Sequence, residues 1–345
     1  MRSVISFAEG LALVCTIAIS AATAQEQILT LSELKPGEPP DPEAIRMIDR
    51  LRGWTIVEFT FFYTTDGART WSKVPADPSR FLPEGPWGVM TEGGAWSVAV
   101  GSGRESGRQK LLRMMPGSPT ELLPLPCDEI CVVGSVAFDP VGRKGLLIEL
   151  VHTDSIFYKI YAFRTVDGGH RWVGTAAPDT TVFRGDVDLN WSADEHALVV
   201  GASGFFVTRD FGKTWEKIPQ TRFPAVLSEQ DSDPFSILFV RPHKGWLRTS
   251  RGRILWTEDD GMSWNVSAFI EERNPRLLGR DQWVSFPDDR NGLIVVNGQV
   301  LMTRDGGASW SPLTPPDERF WSVCCAGNQC LLTSQTRVAE FTLDK

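Results

Sequence analysis

One pattern, T-x-D-x-G-x-x-W, occurs five times in the chain, and this repetition restricts the fold more than any other feature. The copies read TTDGARTW, TVDGGHRW, TRDFGKTW, TEDDGMSW and TRDGGASW, with Ala68 in place of the glycine in the first. Their aspartates and tryptophans are Asp66 and Trp71, Asp167 and Trp172, Asp210 and Trp215, Asp259 and Trp264, and Asp305 and Trp310. Successive aspartates lie 101, 43, 49 and 46 residues apart, so the first interval spans about two periods and predicts one degenerate copy.

Each copy follows a series of short apolar strands. In DQWVSFPDDRNGLIVVNGQVLMTRDGGASW, the segments WVSF, LIVV and QVLMT read as three strands separated by the turns PDDRNG and NG, and WSPL reads as a fourth. Four antiparallel strands per repeat, at a period in the forties, indicate a β-propeller blade. We therefore predict an all-β fold, a seven-bladed β-propeller of four-stranded antiparallel blades with these turns, and six blades as the alternative.

The last predicted blade has three strands, FWSVC, CLLTS and RVAEFTL, and needs a fourth. The lone apolar segment QILTL at 27–31 is the candidate, because pairing there would close the ring and protect an edge that is otherwise exposed. The predicted organisation is a single propeller domain over 25–345. Within it, residues 25–35 form the closing strand and residues 36–43 a Pro-rich connector.

Residues 1–24 have the features of a secretory signal peptide. An arginine precedes the apolar run LALVCTIAIS, and the small-residue ending AATA predicts cleavage after Ala24. The mature protein is expected to be exported, either to a periplasm or to the medium. No later apolar run approaches 18 residues, so we expect no membrane span, and the net charge of −8 argues against nucleic acid as a partner.

The repeats resemble the Asp-box, or BNR, repeat of β-propellers. In a tight turn an aspartate accepts backbone N–H bonds and a glycine supplies positive φ, while a tryptophan can fill the space between neighbouring blades. A group needed once for catalysis has no reason to recur in each repeat. We therefore expect the five aspartates and five tryptophans to be structural, and we expect no catalytic residue and no cofactor.

Five cysteines remain after the expected cleavage, in the clusters CDEIC and CCAGNQC. Cys325 and Cys330 flank a four-residue turn, and Cys127 and Cys131 bracket a three-residue loop, so export favours a disulfide within each pair. Cys324 is then expected to be a buried free thiol. No metal site is expected, because the chain has no C-x-x-C pair and its four histidines are scattered along the sequence.

The pattern lies in the turns between third and fourth strands, and we call the face that carries these turns the box face. The opposite, box-free face consists of the second-to-third turns and the connectors from fourth to first strands. Guanidinium groups there suit bidentate binding of carboxylates, phosphates or an acidic protein surface. The candidate partner-binding residues are Arg104, Arg108, Arg184, Arg222, Arg251 and Arg253.

Two further resemblances concern function. The chain resembles the Ycf48-like photosystem II assembly-factor repeat proteins in its boxes, its blade count and its signal peptide. It also shares a glycine followed by an apolar residue before the second strand, as in Gly53-Trp54, Gly245-Trp246 and Gly292-Leu293. That resemblance implies an exported scaffold that binds partners and does not catalyse a reaction. We expect a monomer that binds a protein or acidic partner, or an anionic ligand, through its box-free face. The alternatives are a glycan-active hydrolase of the sialidase-like Asp-box class and a lectin-like sugar binder. Sialidases carry a Phe/Tyr-Arg-Ile-Pro segment early in the chain, whereas the nearest string here is TRFP at 221–224.

Overall fold

Seven small antiparallel sheets surround a central channel in the computed structural model. The structure describes residues 29–30, 44–57, 60–74, 81–83, 89–101, 108–126, 131–154, 157–178, 187–201, 204–224, 234–249, 253–267, 283–313, 319–334 and 338–343. The expected signal peptide and the Pro-rich connector lie outside these ranges. Within them, the structure has no helix with the length and apolar character needed to cross a membrane.

Each sheet is one blade, and its strands follow one another from the channel outward. The first strand of the chain is β1 (Leu29–Thr30). Blade one contains β2 (Ala44–Met47), β3 (Gly53–Val57), β4 (Thr60–Thr64) and β5 (Ser72–Lys73). Blade two contains β6 (Phe81–Pro83), β7 (Val89–Thr91), β8 (Gly94–Gly101), β9 (Gln109–Met114) and β10 (Glu121–Leu123). In blade two, β6 and β7 both pair with β8, so two short segments share the innermost position.

The remaining blades repeat the four-stranded arrangement. Blade three contains β11 (Cys131–Phe138), β12 (Gly145–Asp154), β13 (Phe157–Thr165) and β14 (Val173–Thr175). Blade four contains β15 (Val187–Ala193), β16 (His196–Gly201), β17 (Gly204–Thr208) and β18 (Glu216–Lys217), followed by a 3-10 turn at Gln220–Arg222. Blade five contains β19 (Pro234–Arg241), β20 (Lys244–Thr249), β21 (Ile254–Thr257) and β22 (Asn265–Val266). Blade six contains β23 (Val284–Ser285), β24 (Gly292–Val296), β25 (Gln299–Thr303) and β26 (Ser311–Pro312), and blade seven contains β27 (Ser322–Ala326), β28 (Gln329–Thr333) and β29 (Val338–Thr342).

The chain's first described strand completes the last blade. Strand β1 pairs antiparallel with β29, with Leu29 opposite Glu340 and Thr30 opposite Ala339. The order of blade seven is therefore β1, β29, β28 and β27. This pairing covers the outer edge of β29, which would otherwise present unpaired backbone groups. The fold is a seven-bladed β-propeller, as predicted, and the alternative of six blades is wrong.

Local turn chemistry explains how the strands reverse. Asn297 and Gly298 both have positive φ, 53° and 80°, and connect Val296 to Gln299 in a two-residue hairpin. This is the type I′ geometry that the Asn-Gly pair favours. The degenerate repeat lies in blade two, where Gly117 has a φ of 71° and where Met114 and Pro116 stand at the positions of the threonine and the aspartate of the other copies.

The core is divided among the seams between blades. Each of the seven buried apolar clusters combines residues of two adjacent blades, including the seam at which the ring closes. At that seam, Ile45, Ala68 and Trp71 of blade one pack with Leu331 and Val338 of blade seven. Nearest-neighbour seams allow a chain of this length to fold as one ring of repeats.

Candidate functional site

The five patterned turns of the box face share one hydrogen-bond network. In each turn the threonine hydroxyl donates to the aspartate Oδ1 at 2.7–3.0 Å and accepts the N–H of the residue two positions after the aspartate. The same Oδ1 accepts the N–H of the residue four positions after the aspartate at 2.8–3.0 Å. In four turns the second oxygen accepts the hydroxyl of that residue, which is Thr70, Thr214, Ser263 or Ser309. Both carboxylate oxygens in these four turns thus serve to hold the turn.

These bonds determine the protonation of the carboxylates. The side-chain and backbone bonds from Ser309, together with that from Thr303, lower the pKa of Asp305 to about 2. For Asp66, Asp167 and Asp210, burial acts to raise the pKa, but the hydrogen bonds of the turn together outweigh it and lower the pKa. A carboxylate held ionised by its own turn is unsuited to donating a proton in hydrolysis.

The tryptophan of each turn, and the glycine of the four turns that have one, pack on the preceding blade. Gly169, Gly212, Gly261 and Gly307 have positive φ, and a Cβ on each would meet a core side chain of that blade. The tryptophans lie in the matching seams, and the indole of Trp310 donates to Ser267 Oγ of blade five at 3.2 Å. The turns therefore connect neighbouring blades, and this structural role accounts for their glycines and tryptophans.

The structure describes part of the predicted arginine set. Arg108 and Arg253 are at equivalent places, at the base of the second-to-third turns of blades two and five. The carbonyl of Arg108 accepts the N–H of Gly101 at 2.8 Å, and that of Arg253 accepts the N–H of Thr249 at 2.9 Å. Arg222 ends the exposed 3-10 turn after blade four. Arg104, Arg184 and Arg251 lie outside the described residues.

The last blade contains one disulfide and one free thiol. Cys325 and Cys330 are opposite each other on β27 and β28 and are joined by a disulfide. Cys324 is the buried free cysteine of the described residues, and its Sγ accepts the N–H of Met47 at 3.0 Å. Cys127 lies outside the described residues, so its predicted bond to Cys131 stays a prediction.

A channel runs along the first strands of blades one to five and has a volume of about 1350 Å³. Polar side chains on the first strands link neighbouring blades around it. Ser135 Oγ accepts the N–H of Leu189 at 3.1 Å, and Asp188 Oδ2 accepts the N–H of Ile237 at 3.4 Å. Polar side chains of the channel wall therefore hold neighbouring blades together.

Two histidines and an aspartate meet on the box face at the seam of blades four and five. His196 begins β16, His243 lies in the turn before β20, and Asp260 follows the box aspartate Asp259. The Nδ1 atoms of both histidines lie 2.9 Å from Asp260 Oδ2, and Ser192 Oγ donates to Oδ1 at 2.5 Å. We call these four side chains the seam cluster. These two histidines are 47 positions apart in the sequence, and the hairpins of neighbouring blades place them side by side.

The carboxylate at the centre of the seam cluster is ionised. Burial acts to raise the pKa of Asp260, but the bonds from Ser192, His243 and His196 outweigh it and lower the pKa. The backbone of Asp260 has a φ of 61°, in the left-handed region, where glycine occupies the same position of three other turns. Asp260 was the one sign of this cluster in the sequence, because the corresponding residues of the three other turns are Gly67, Gly168 and Gly306.

Solved structures share this architecture. YCF48 bound to D1 peptide superposes with a TM-score of 0.58 at 18% identity, covering 93% of this chain and 96% of that chain. YCF48 from Cyanidioschyzon merolae gives a TM-score of 0.52 at 13% identity, covering 87% and 93% of the two chains. The fold is that of the Ycf48-like propellers. Virginiamycin B lyase from Staphylococcus aureus also superposes, with a TM-score of 0.52 at 13% identity over 93% and 99% of the chains, so the architecture alone does not assign an activity.

Sequence comparison gives a shorter match. No protein-family profile matches the chain. A segment of 133 residues is 31% identical to the oligoxyloglucan-reducing end-specific xyloglucanase of Emericella nidulans. That segment is 36% of this chain and 16% of the enzyme's length.

Proposed function

We propose that this protein is an exported, non-catalytic propeller scaffold that binds a protein partner through its box-free face. The observation that carries the proposal is the equivalent placement of Arg108 and Arg253, each of which closes a second-to-third turn on that face by the same backbone bond. Arg104 and Arg251 belong to the same two turns in sequence. Two pairs of guanidinium groups in such turns suit the carboxylates of an acidic peptide or protein surface.

Two other features support a scaffold. The carboxylates of Asp66, Asp210 and Asp305 are engaged in their own turns, so these groups are not free to bind a ligand. The similar YCF48 fold was solved bound to D1 peptide, which supports a protein partner for a propeller of this architecture. Cleavage after Ala24 and export are part of the proposal, as is a monomeric state.

The test is capture of envelope proteins by the immobilised mature chain, followed by binding measurements on peptides from the captured protein. Replacing Arg104, Arg108, Arg251 and Arg253 by Gln should weaken peptide binding by more than about tenfold and flatten its salt dependence. The matched control replaces four exposed arginines of the box face, and these are Arg143, Arg171, Arg290 and Arg304. Equal losses in both variants would mean that net charge, and not the box-free face, governs binding.

Glycan hydrolysis is the second candidate, because the xyloglucanase match covers more than a third of the chain at 31% identity. A hydrolase needs two carboxyl groups about 5–9.5 Å apart, one of which holds a proton at working pH. Mass spectrometry of xyloglucan oligosaccharides incubated with the protein distinguishes the two functions. Cleavage products would replace the scaffold proposal with a hydrolase, whereas binding without cleavage would favour a lectin-like role.

A further inference from the structure

We propose that the seam cluster is a binding site for one divalent transition-metal ion, of which zinc fits the donors best. The ligands are His196, His243 and Asp260, and Ser192 is a positioning residue. This site lies on the box face, opposite the arginines of the proposed partner surface, and it does not depend on the proposed function. The inference rests on the convergence of donor atoms, the placement of Asp260 and the graded exposure of the three side chains.

The donor atoms already lie at distances close to those of a metal site. One ring nitrogen from each histidine and one carboxylate oxygen are all within 4.8 Å of one another. A tetrahedral zinc ion with bonds of about 2.0–2.1 Å separates its ligand atoms by roughly 3.3 Å. Both Nδ1 to Oδ2 distances are 2.9 Å, and the ring centroids of the two histidines are 5.8 Å apart. For the three donors to surround one ion, each Nδ1 to Oδ2 distance has to grow by about 0.4 Å.

The backbone directs Asp260 into this seam. Its φ of 61° is a conformation that costs a non-glycine residue energy, although aspartate tolerates it better than most. The N–H of Asp260 donates to the carbonyl of His243 at 3.2 Å, which fixes the two ligands of blade five relative to each other. Ser192 holds Oδ1 from blade four and so directs Oδ2 toward both imidazoles. Such an outer hydrogen bond to a ligating carboxylate is typical of metal sites.

The donor set selects the class of metal. Two imidazole nitrogens and one carboxylate oxygen suit Zn²⁺ and its first-row neighbours, whereas Ca²⁺ and Mg²⁺ prefer six or more oxygen ligands. An ion at Nδ1 takes the place of the ring proton that otherwise bonds to Asp260, and the proton of each neutral ring then resides on Nε2.

Exposure leaves room for a further ligand. The side chains of Asp260, His196 and His243 are 7%, 24% and 52% exposed, so the cluster is buried on one side and open to solvent on the other. Three protein ligands with an accessible fourth position form the usual open zinc site, in which water completes the coordination. Lys144 is paired at 2.8 Å with Glu195, the neighbour of His196 in sequence, and Lys244, the neighbour of His243, is paired with Glu258 at 3.3 Å. These ion pairs limit the repulsion of an incoming cation by the two lysines.

The experiment is calorimetric titration of the chelator-treated mature protein with zinc chloride, repeated with Co²⁺ while visible absorption is recorded. We expect one ion per chain and the absorption bands of cobalt in a nitrogen and oxygen site. His243→Asn is the main variant, because asparagine accepts the positive φ of 65° at this position. It should weaken zinc binding by roughly 100-fold or more, and Ser192→Ala by about 10-fold.

His170→Asn is the matched control, since His170 is an exposed histidine on the same face outside the cluster, and it should bind zinc as the native protein does. Thermal melting in the presence of chelator checks that each variant is folded. If His243→Asn is unfolded, Asp260→Asn serves as the ligand variant instead. Zinc should raise the melting temperature of the native chain and of His170→Asn, and leave that of His243→Asn unchanged. If the native chain binds no zinc, or if both ligand variants bind it normally, the seam cluster is only a hydrogen-bonded clasp between blades and the proposal is overturned.

Discussion

The N–H of Met47 donates to Sγ of Cys324 at 3.0 Å, and this bond joins the first strand of blade one to the first strand of blade seven. The thiol is 4% exposed, and burial raises its pKa. Because the thiolate is the reactive form, we expect Cys324 to be alkylated only when the ring opens. Peptide mapping after timed labelling without reductant measures this rate, and rapid modification of Cys324 in the native protein would contradict the prediction.

Replacing Cys324 by Ala tests the same bond through stability. The substitution leaves the N–H of Met47 without its acceptor in a buried seam, so the free energy of unfolding should fall by about 1–2 kcal/mol. Cys324→Ser supplies an oxygen acceptor of similar size and is the control. Urea denaturation should rank the native protein and the serine variant above the alanine variant. Equal midpoints for all three would show that the bond does not stabilise ring closure.

The glycine of the patterned turn is required by packing as well as by φ. A Cβ on Gly307, which has a φ of 96°, would overlap the indole of Trp246 in blade five. Gly307→Ala should therefore lower the free energy of unfolding by about 2–4 kcal/mol. Ala68 occupies the same position in blade one, with a φ of 67°, and packs in the seam with blade seven. Its change to glycine should alter stability by less than about 1 kcal/mol, because relief of φ strain offsets lost packing. Thermal melts of both variants make the comparison, and equal losses would contradict it.

The repeat made most of the fold predictable from the sequence. Repeats 43–49 residues apart placed the turns, and the apolar runs WVSF, LIVV and QVLMT placed the first three strands of blade six within a few residues of their observed ends. What the period could not supply is contact across a seam. His196 and His243 belong to different blades, and Asp260 reads as one more polar residue of a turn until its φ and neighbours are known.

Buried charge was also missed, for a related reason. Arg248 is fully buried in the second strand of blade five, with its guanidinium carbon 5.0 Å from the ring centre of Trp283 in blade six. The sequence contained a sign of this burial, because Arg248 lies two residues after Trp246 in the same strand and so faces the same seam. An arginine between apolar strand residues is nevertheless ordinarily assigned to an exposed edge. The structure of the neighbouring blade is needed to show an aromatic ring that accepts it.

Deleting residues 25–35 tests closure of the ring. The deletion removes β1 and exposes the edge of β29, so we expect a loss of about 2 kcal/mol or more in the free energy of unfolding, together with association through the free edge. The control is the chain that begins at residue 25. Light scattering after size-exclusion chromatography and thermal melts compare the two chains. Identical melting temperatures with both chains monomeric would show that β1 contributes nothing to closure.

Acid should weaken the propeller through the carboxylates of the box face. The pKa of Asp305 is lowered to about 2 by its bonds to Ser309 and Thr303. Desolvation acts to raise the pKa of Asp66, Asp167 and Asp210, but hydrogen bonding in their turns outweighs it and lowers the pKa of all three. In the unfolded chain these groups titrate near a pKa of about 3.9. Their stabilisation is therefore complete above about pH 5, and it is lost as the pH falls toward 2, because the unfolded state takes up protons first.

Asp305→Asn isolates one of these groups. Asparagine keeps an acceptor for the backbone but presents an N–H₂ group to the hydroxyl of Ser309, so the variant should be less stable than the native protein at pH 7. The difference should shrink between about pH 4 and pH 2, since protonation of Asp305 in the unfolded native chain removes the same advantage. Urea denaturation of both proteins at pH 7, 5, 4 and 3 measures the difference directly. A gap that stays constant down to pH 3 would mean that Asp305 holds the turn by its shape, and that its ionised form contributes no stability of its own.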